Sequence, residues 1–122
     1  MLKLSHKNLD VYKISLLLVK EVYSISKTFP NEERFVLVSQ LRRAVVSVSS
    51  NIAEGASRIS SLEKKRFYEI SRSSAVEIDT QFEIALSLGY LENIQINNLE
   101  NYLESVFRML SKMINNLAAK TH

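Results

Sequence analysis

The stretch LRRAVVSVSSNIAEG, residues 41–55, decides the fold of this chain. Between residues 44 and 50 its apolar and polar side chains alternate, as they do in a half-buried β-strand. A second series has the 3-4 spacing of a helix and extends beyond both ends of that segment: Val38, Leu41, Val45, Val48 and Ile52. Because strands rarely exceed about 10 residues, the longer series predicts an amphipathic helix.

The composition favours helices throughout. The chain has 122 residues, a length typical of one domain. We therefore expect residues 1–122 to form a single domain with one core. Two glycines and one proline are too few for the turns of an all-β or a nucleotide-binding α/β fold. Hydrophobic residues make up 46% of the chain, which is too apolar for disorder. The absence of cysteine excludes disulfides, thiolate zinc sites and cysteine nucleophiles.

Breaking and capping residues divide the chain into four helical segments. Pro30 ends the first, and Asn31 is placed to cap the second. Ser60 and Glu63 form a capping-box pattern for the third, which Gly89 ends. Matched lengths and short connections predict an all-α, antiparallel up-down-up-down four-helix bundle. The predicted helices cover about residues 8–28, 32–56, 61–88 and 94–118.

The other three segments also carry apolar stripes with 3-4 spacing, which are expected to form the core. In the first segment the stripe is Leu9, Tyr12, Leu16, Val19 and Tyr23. In the third it is Tyr68, Ala75, Ile78, Phe82 and Ala85. In the fourth it is Ile96, Leu99, Leu103, Val106, Leu110, Met113 and Leu117.

Two rows of polar residues also follow helical spacing. The row on the second helix is Gln40, Arg43, Ser47, Asn51, Glu54 and Arg58, and the row on the third is Ser74, Glu77 and Gln81. Antiparallel pairing about the intervening turn predicts Glu77 opposite Gln40 and within reach of Arg43. One hypothesis is therefore a partly buried Arg43–Glu77 contact, within or between subunits, that fixes helix register. The alternative is that both rows simply face water.

The sequence lacks the residue patterns of catalytic and cofactor sites. His6 and His122 lie at the ends of the chain, where solvated side chains are expected. No Glu-x-x-His pair, G-x-S-x-G turn or glycine-rich phosphate loop is present. We therefore expect no enzymatic activity, no cofactor and no metal site.

Charge is unevenly distributed once the chain is folded into a bundle. One end collects residues 1–17, 50–74 and 105–122, with eleven basic and four acidic residues and a net charge of +7. The other end collects residues 18–49 and 75–104, with a net charge of −4. This basic pole is a candidate phosphate-binding surface, although a solvated charge cluster that only aids solubility is the alternative. The candidate nucleic-acid-binding residues are Arg58, Lys64, Lys65, Arg66, Lys112 and Lys120.

No stretch of the sequence suggests a membrane. The apolar run at residues 16–19 is followed by Lys20 and Glu21, and it is too short for a spanning helix or a signal-peptide core. We expect a cytoplasmic location and no membrane partner.

The segment SQLRRAVVSVSSNIAEGASR, residues 39–58, resembles the four helix bundle protein family encoded within intervening sequences of bacterial 23S ribosomal RNA genes. FPNEE before it and EIDTQFEIALSLGYL, residues 77–91, extend the likeness to about residues 9–114. Many relatives have proline where this chain has Ser49. The matching residues are Gln40, Arg43, Ser47, Asn51, Ile52, Ala53, Glu54 and Gly55, with Glu77 and Gln81 in the third helix.

The resemblance implies a homo-oligomer of bundles, with a pentameric ring known among relatives. It also implies kinship with the accessory variability determinant proteins of diversity-generating retroelements, which are basic pentamers that bind nucleic acid and a reverse transcriptase. The leading interpretation is a non-enzymatic homopentameric protein whose basic pole contacts RNA. The alternative is an oligomeric adaptor that binds another protein, with exposed Leu17, Val46 and Phe107 marking interfaces. A mobile-element remnant with little cellular role is a third interpretation.

Overall fold

The computed structural model describes the backbone of residues 1–120 and the side chains of residues 1–118. The four helices are α1 (Asp10–Ser26), α2 (Leu37–Ser57), α3 (Ser61–Ser87) and α4 (Asn97–Lys120). Short 3-10 turns cover Ser5–Asn8, Asn31–Glu33 and Asn93–Ile96, and residues 1–120 contain no β-strand. The prediction of an all-α four-helix bundle is confirmed.

The four helices form a square in cross-section. Each helix packs against its neighbours in sequence, and α4 closes the square by packing against α1. Along the described part of the chain, no helix combines the length and the apolar composition that crossing a membrane requires.

The boundaries of α3 agree with the sequence, whereas α2 begins later than predicted. The amide of Glu63 donates to Ser60 Oγ over 3.1 Å, and Gly89 follows α3 with a φ of 76°. After Pro30, however, a 3-10 turn replaces the first turn expected for α2. Val36, with φ −116° and ψ −92°, separates this turn from α2, which begins at Leu37. The prediction that Asn31 caps α2 is therefore wrong.

The apolar stripes of α2, α3 and α4 lie in the core as predicted, with Met113 and Leu117 only half-buried. The stripe predicted for α1 is wrong in part. Leu9, Tyr12 and Val19 pack against the core, whereas Leu16 and Tyr23 are exposed. The buried face of α1 is rotated relative to it and includes Ser15, whose Oγ lies 2.8 Å from Ser49 Oγ in α2. Because this face includes serine, the apolar pattern does not indicate it. The buried residues of α1 are Val11, Ser15, Leu18, Val22, Ile25 and Ser26.

Candidate nucleic-acid interface

The bundle topology gathers the segments of the basic pole at one end. The Ser15–Ser49 hydrogen bond joins the first half of α1 to the second half of α2. Arg72 Nη1 of α3 donates to Ser111 Oγ of α4 over 3.3 Å. The beginning of α1, the α2–α3 turn and the end of α4 therefore share this end.

Arg58, at the C-terminal end of α2, is already surrounded by carboxylates. Its Nη2 lies 3.0 Å from Glu54 Oε2, and its Nε lies 3.9 Å from Glu63 Oε2. The guanidinium also stacks 4.8 Å from the centre of the Phe67 ring. With two acids beside it, Arg58 adds little free positive charge to the pole.

Lys64 is engaged in capping α2. Its Nζ donates to the carbonyl oxygen of Ala56 over 3.0 Å and lies 3.4 Å from that of Gly55. The last carbonyls of a helix lack intrahelical partners, and a lysine ammonium commonly satisfies them. Lys64 therefore stabilises the α2–α3 turn, and its ammonium is only half-buried.

Three of the candidate residues are free to meet a ligand. Lys65, Arg66 and Lys112 have no side-chain hydrogen bond or ion pair with the described residues, and Arg66 and Lys112 are exposed. The side chain of Lys120 lies outside the described residues. Among the candidate residues, the unpaired positive charge thus lies at the start of α3 and near the end of α4.

Sequence reasoning missed two features of the same end. Arg72 is held by Ser111 and lies 5.9 Å from the centre of the Phe107 ring, so its cation has a fixed position. His6, expected to be solvated, is only 8% exposed and meets the Tyr12 ring edge to face at 4.7 Å. The first 3-10 turn packs against both α1 and α2 and so covers His6, and no period in the sequence indicates this packing.

The two polar rows meet in part. Ser74 Oγ donates to Ser47 Oγ over 2.9 Å, and Asn51 Nδ2 donates to Ser47 Oγ over 3.0 Å. Gln81 Nε2 donates to Gln40 Oε1 over a longer distance of 3.4 Å. These contacts place Ser47 opposite Ser74 and Gln40 opposite Gln81, so the pairing is one helical turn away from the predicted register.

The predicted Arg43–Glu77 contact is absent from the described chain. In the observed register Glu77 lies at the level of Ala44, and both Arg43 and Glu77 are exposed. No ion pair joins them. Glu54, the last acid of the α2 row, pairs with Arg58 instead. A contact of Arg43 or Glu77 with another subunit stays a prediction.

Gln81 is the least satisfied member of the rows. Its side chain is 7% exposed, and among the described residues its Oε1 is a buried oxygen with no hydrogen-bond partner. Leaving a buried carbonyl unpaired costs about 1 to 3 kcal/mol. The two polar rows therefore form hydrogen bonds between α2 and α3, and these bonds leave Gln81 Oε1 without a partner.

No metal-ligand cluster accompanies these rows. Among the side chains that the structure describes, no group of three or more histidines, aspartates or glutamates is placed to hold a metal ion. The expectation that the chain takes no metal or cofactor stays a prediction.

A family model described as 23S rRNA-intervening sequence protein matches residues 7–112. The chain belongs to this family. The matched range includes both polar rows and every candidate residue of the basic pole except Lys120. The 23S rRNA-intervening sequence protein family is thus defined by the same region that builds the bundle.

Among solved structures, the chain is similar to a protein with unknown function from the S23 ribosomal protein family of Bacteroides thetaiotaomicron. The two are 23% identical with a TM-score of 0.78, over 85% of this chain and 97% of the other. At this identity the likeness establishes the shared fold. No curated protein sequence matches the chain.

Proposed function

We propose that this 23S rRNA-intervening sequence protein is a non-enzymatic homopentamer that binds structured RNA through its basic pole. The observation that carries the proposal is the separation of charge along the bundle, with Lys65, Arg66 and Lys112 unpaired at one end. The acidic residues of the chain concentrate in residues 75–104 at the other end. The subunit number comes from the resemblance to pentameric relatives.

The chemistry of such a pole suits a phosphate backbone. Clustered lysines and arginines neutralise phosphates and release counterions, without reading sequence. A ring with its subunits side by side repeats the pole once per subunit, which forms a positive rim. Binding is then expected to be insensitive to RNA sequence and strongly weakened by salt.

The test compares binding of a structured RNA hairpin by the wild type and by two charge-matched double variants. Lys65→Ala/Arg66→Ala removes two unpaired cations from the pole, and Arg34→Ala/Arg43→Ala removes two from the opposite end. We expect the pole variant to bind at least about 10-fold more weakly, with a shallower salt slope, and the control to bind like the wild type. No binding at low ionic strength, or equal losses in both variants, contradicts RNA binding. Light scattering on the wild type tests the subunit number.

A second candidate function is an adaptor that binds another protein without nucleic acid. The observation that favours it is the exposure of apolar side chains outside the core, with Val46 45%, Phe107 43% and Leu17 42% exposed. Affinity capture after nuclease treatment separates the two functions, since a direct protein partner survives the treatment and an RNA-bridged one is lost.

A further inference from the structure

A groove of about 570 Å³ runs between α3 and α4 in the acidic half of the bundle. Its floor is formed by core side chains, among them Phe82, Leu99 and Leu103. At its edges Val76 and Phe107 expose 50% and 43% of their surface. The bundle therefore leaves an apolar channel open to a large side chain from outside.

Carboxylates line both sides of this groove. On each helix two of them are four residues apart, so like charges repel each other along the rim. Only Glu104 has a cation near it within the described residues, Arg108 at 3.6 Å, and both of these side chains are exposed. The rim therefore favours a cationic occupant. The carboxylates of the groove rim are those of Asp79, Glu83, Glu100 and Glu104.

The opposite side of the bundle, between α1 and α2, has the complementary chemistry. Arg42 of α2 lies 4.6 Å from the centre of the Tyr23 ring, and Val46 is exposed beside them. Lys20 on the exposed side of α1 and Lys27, which directly follows α1, add two further cations. We define this α1–α2 ridge as Leu16, Lys20, Tyr23, Lys27, Arg42 and Val46.

The groove and the ridge lie at the same height along the bundle. Arg42 Nε donates to Ser26 Oγ over 3.1 Å, which fixes the level of α1 against α2. The contact of Gln40 with Gln81 fixes the level of α2 against α3, and Gln81 lies between Asp79 and Glu83 in sequence. In a square bundle the α1–α2 side is opposite the α3–α4 side.

These placements make the surface complementary to a second copy of the chain. We infer that the α3–α4 groove of one copy receives the α1–α2 ridge of the next. Because the two features lie at one height, copies related by an axis parallel to the helices bring them together without sliding along it. Directly opposite faces would give a straight row, so closing a ring also requires each copy to turn toward the axis. Such a contact is heterologous and can close into a ring. The inference rests on the proposed homo-oligomer and specifies its interface.

The proposed contact between copies also leaves the basic pole of each copy accessible to a ligand. An axis parallel to the helices leaves the ends of the bundles uncovered and points every basic pole in the same direction. The apolar floor takes Tyr23 and Val46, while the rim carboxylates meet Lys20 and Lys27. The occupant is thus matched to the groove in polarity and charge.

The test uses two charge-reversed variants of the full chain. Glu83→Lys/Glu100→Lys reverses two of the four rim charges, one on each helix, and Lys20→Glu/Lys27→Glu reverses both lysines of the ridge; all four side chains are exposed. Each variant alone is expected to have the mass of a monomer by light scattering, with wild-type helicity by circular dichroism. Mixed one to one, the two are expected to form species larger than a monomer, because every contact between unlike copies pairs opposite charges. A five-membered ring of the two then keeps one contact between like copies and is expected to be less stable than the wild-type ring. The control Glu32→Lys/Glu69→Lys makes the same charge change at exposed positions outside the groove and the ridge and is expected to keep the wild-type mass.

The outcomes separate this interface from the proposed oligomer. If the wild type is oligomeric and both reversed variants keep its mass, the interface lies elsewhere and the inference is overturned while the oligomer stands. Reversed variants that are monomeric and stay monomeric when mixed also overturn it. A monomeric wild type removes the proposed oligomer and shows that the groove is not occupied by this chain.

Discussion

At the scale of single residues, Gly55 shows why a helix accepts a residue that disfavours helices. It lies in the last turns of α2, where a Cβ atom would be 2.6 Å from Tyr68 Cε1 and 2.8 Å from Tyr68 Cδ1. Tyr68 is only 5% exposed, so its ring has little room to move. The absence of a side chain at Gly55 lets α2 and α3 approach closely beside the turn that joins them.

We expect Gly55→Ala to lower the free energy of unfolding by about 1 to 3 kcal/mol, through overpacking against Tyr68. The loss is expected although alanine is a better helix former than glycine by about 1 kcal/mol. Chemical denaturation measures the change. Ser50→Ala, at an exposed position of the same helix, supplies the propensity gain without the clash and is expected to be neutral or slightly stabilising. A Gly55→Ala variant at least as stable as the wild type would disprove the close approach.

At the scale of helices, periodicity predicted α2, α3 and α4 well, because each has a single long apolar stripe. It failed for α1, where two stripes satisfy the 3-4 spacing. The true core stripe contains Ser15 and Ser26, whereas the more apolar one contains exposed Leu16 and Tyr23. Spacing alone cannot rank two such faces, since burial of a serine depends on a partner, Ser49, that lies on another helix.

The candidate site was predictable in its charge and not in its contacts. Topology alone places the basic segments at one end, as the sequence predicted. The engagement of Lys64 with the last carbonyls of α2 depends on the path of the turn, which composition does not encode. The one-turn error in pairing Gln40 has the same origin, because a three-residue extended connection sets the register of α2 against α3.

The 3-10 turn at Asn31–Glu33 is tied to the α3–α4 connection by one hydrogen bond. Tyr90 Oη donates to Glu33 Oε2 over 2.6 Å, and this bond raises the pKa of Tyr90 to about 12. A raised pKa in the folded state stabilises the protein below the ordinary tyrosine pKa of about 10. The stabilisation begins to be lost near pH 10, where the unfolded state releases the tyrosine proton. It is gone above about pH 12, where the folded state releases the proton too.

We therefore expect Tyr90→Phe to be less stable than the wild type below about pH 10, with the difference closing between about pH 10 and 12. Unfolding free energies across this range measure it. Glu33→Gln is the companion variant, and in it the tyrosinate absorbance that appears near pH 12 in the wild type is expected to move toward lower pH. A tyrosinate titration of Glu33→Gln that matches that of the wild type would show that the hydrogen bond does not form.

At the scale of the whole molecule, the features that a single bundle leaves unsatisfied fall on opposite sides. Leu16 and Tyr23, in the second apolar stripe of α1, are exposed. The carboxylates beside the α3–α4 groove have few cations near them. Contact between copies would bury these apolar side chains and place cations beside these carboxylates. The ends of the bundle, where the basic pole lies, then stay available to phosphate.

Association of this kind makes thermal stability depend on protein concentration, because the contact exists only between folded copies. For wild type, a 10-fold rise in concentration is expected to add about 1 kcal/mol per subunit, or a Tm increase of about 5 °C for a domain of this size. Glu83→Lys/Glu100→Lys is expected to have a Tm that does not change with concentration, while the control Glu32→Lys/Glu69→Lys follows the wild type. Calorimetry over a 100-fold range of concentration measures all three. Equal slopes for wild type and the groove variant would mean that folding is coupled to assembly through some other face.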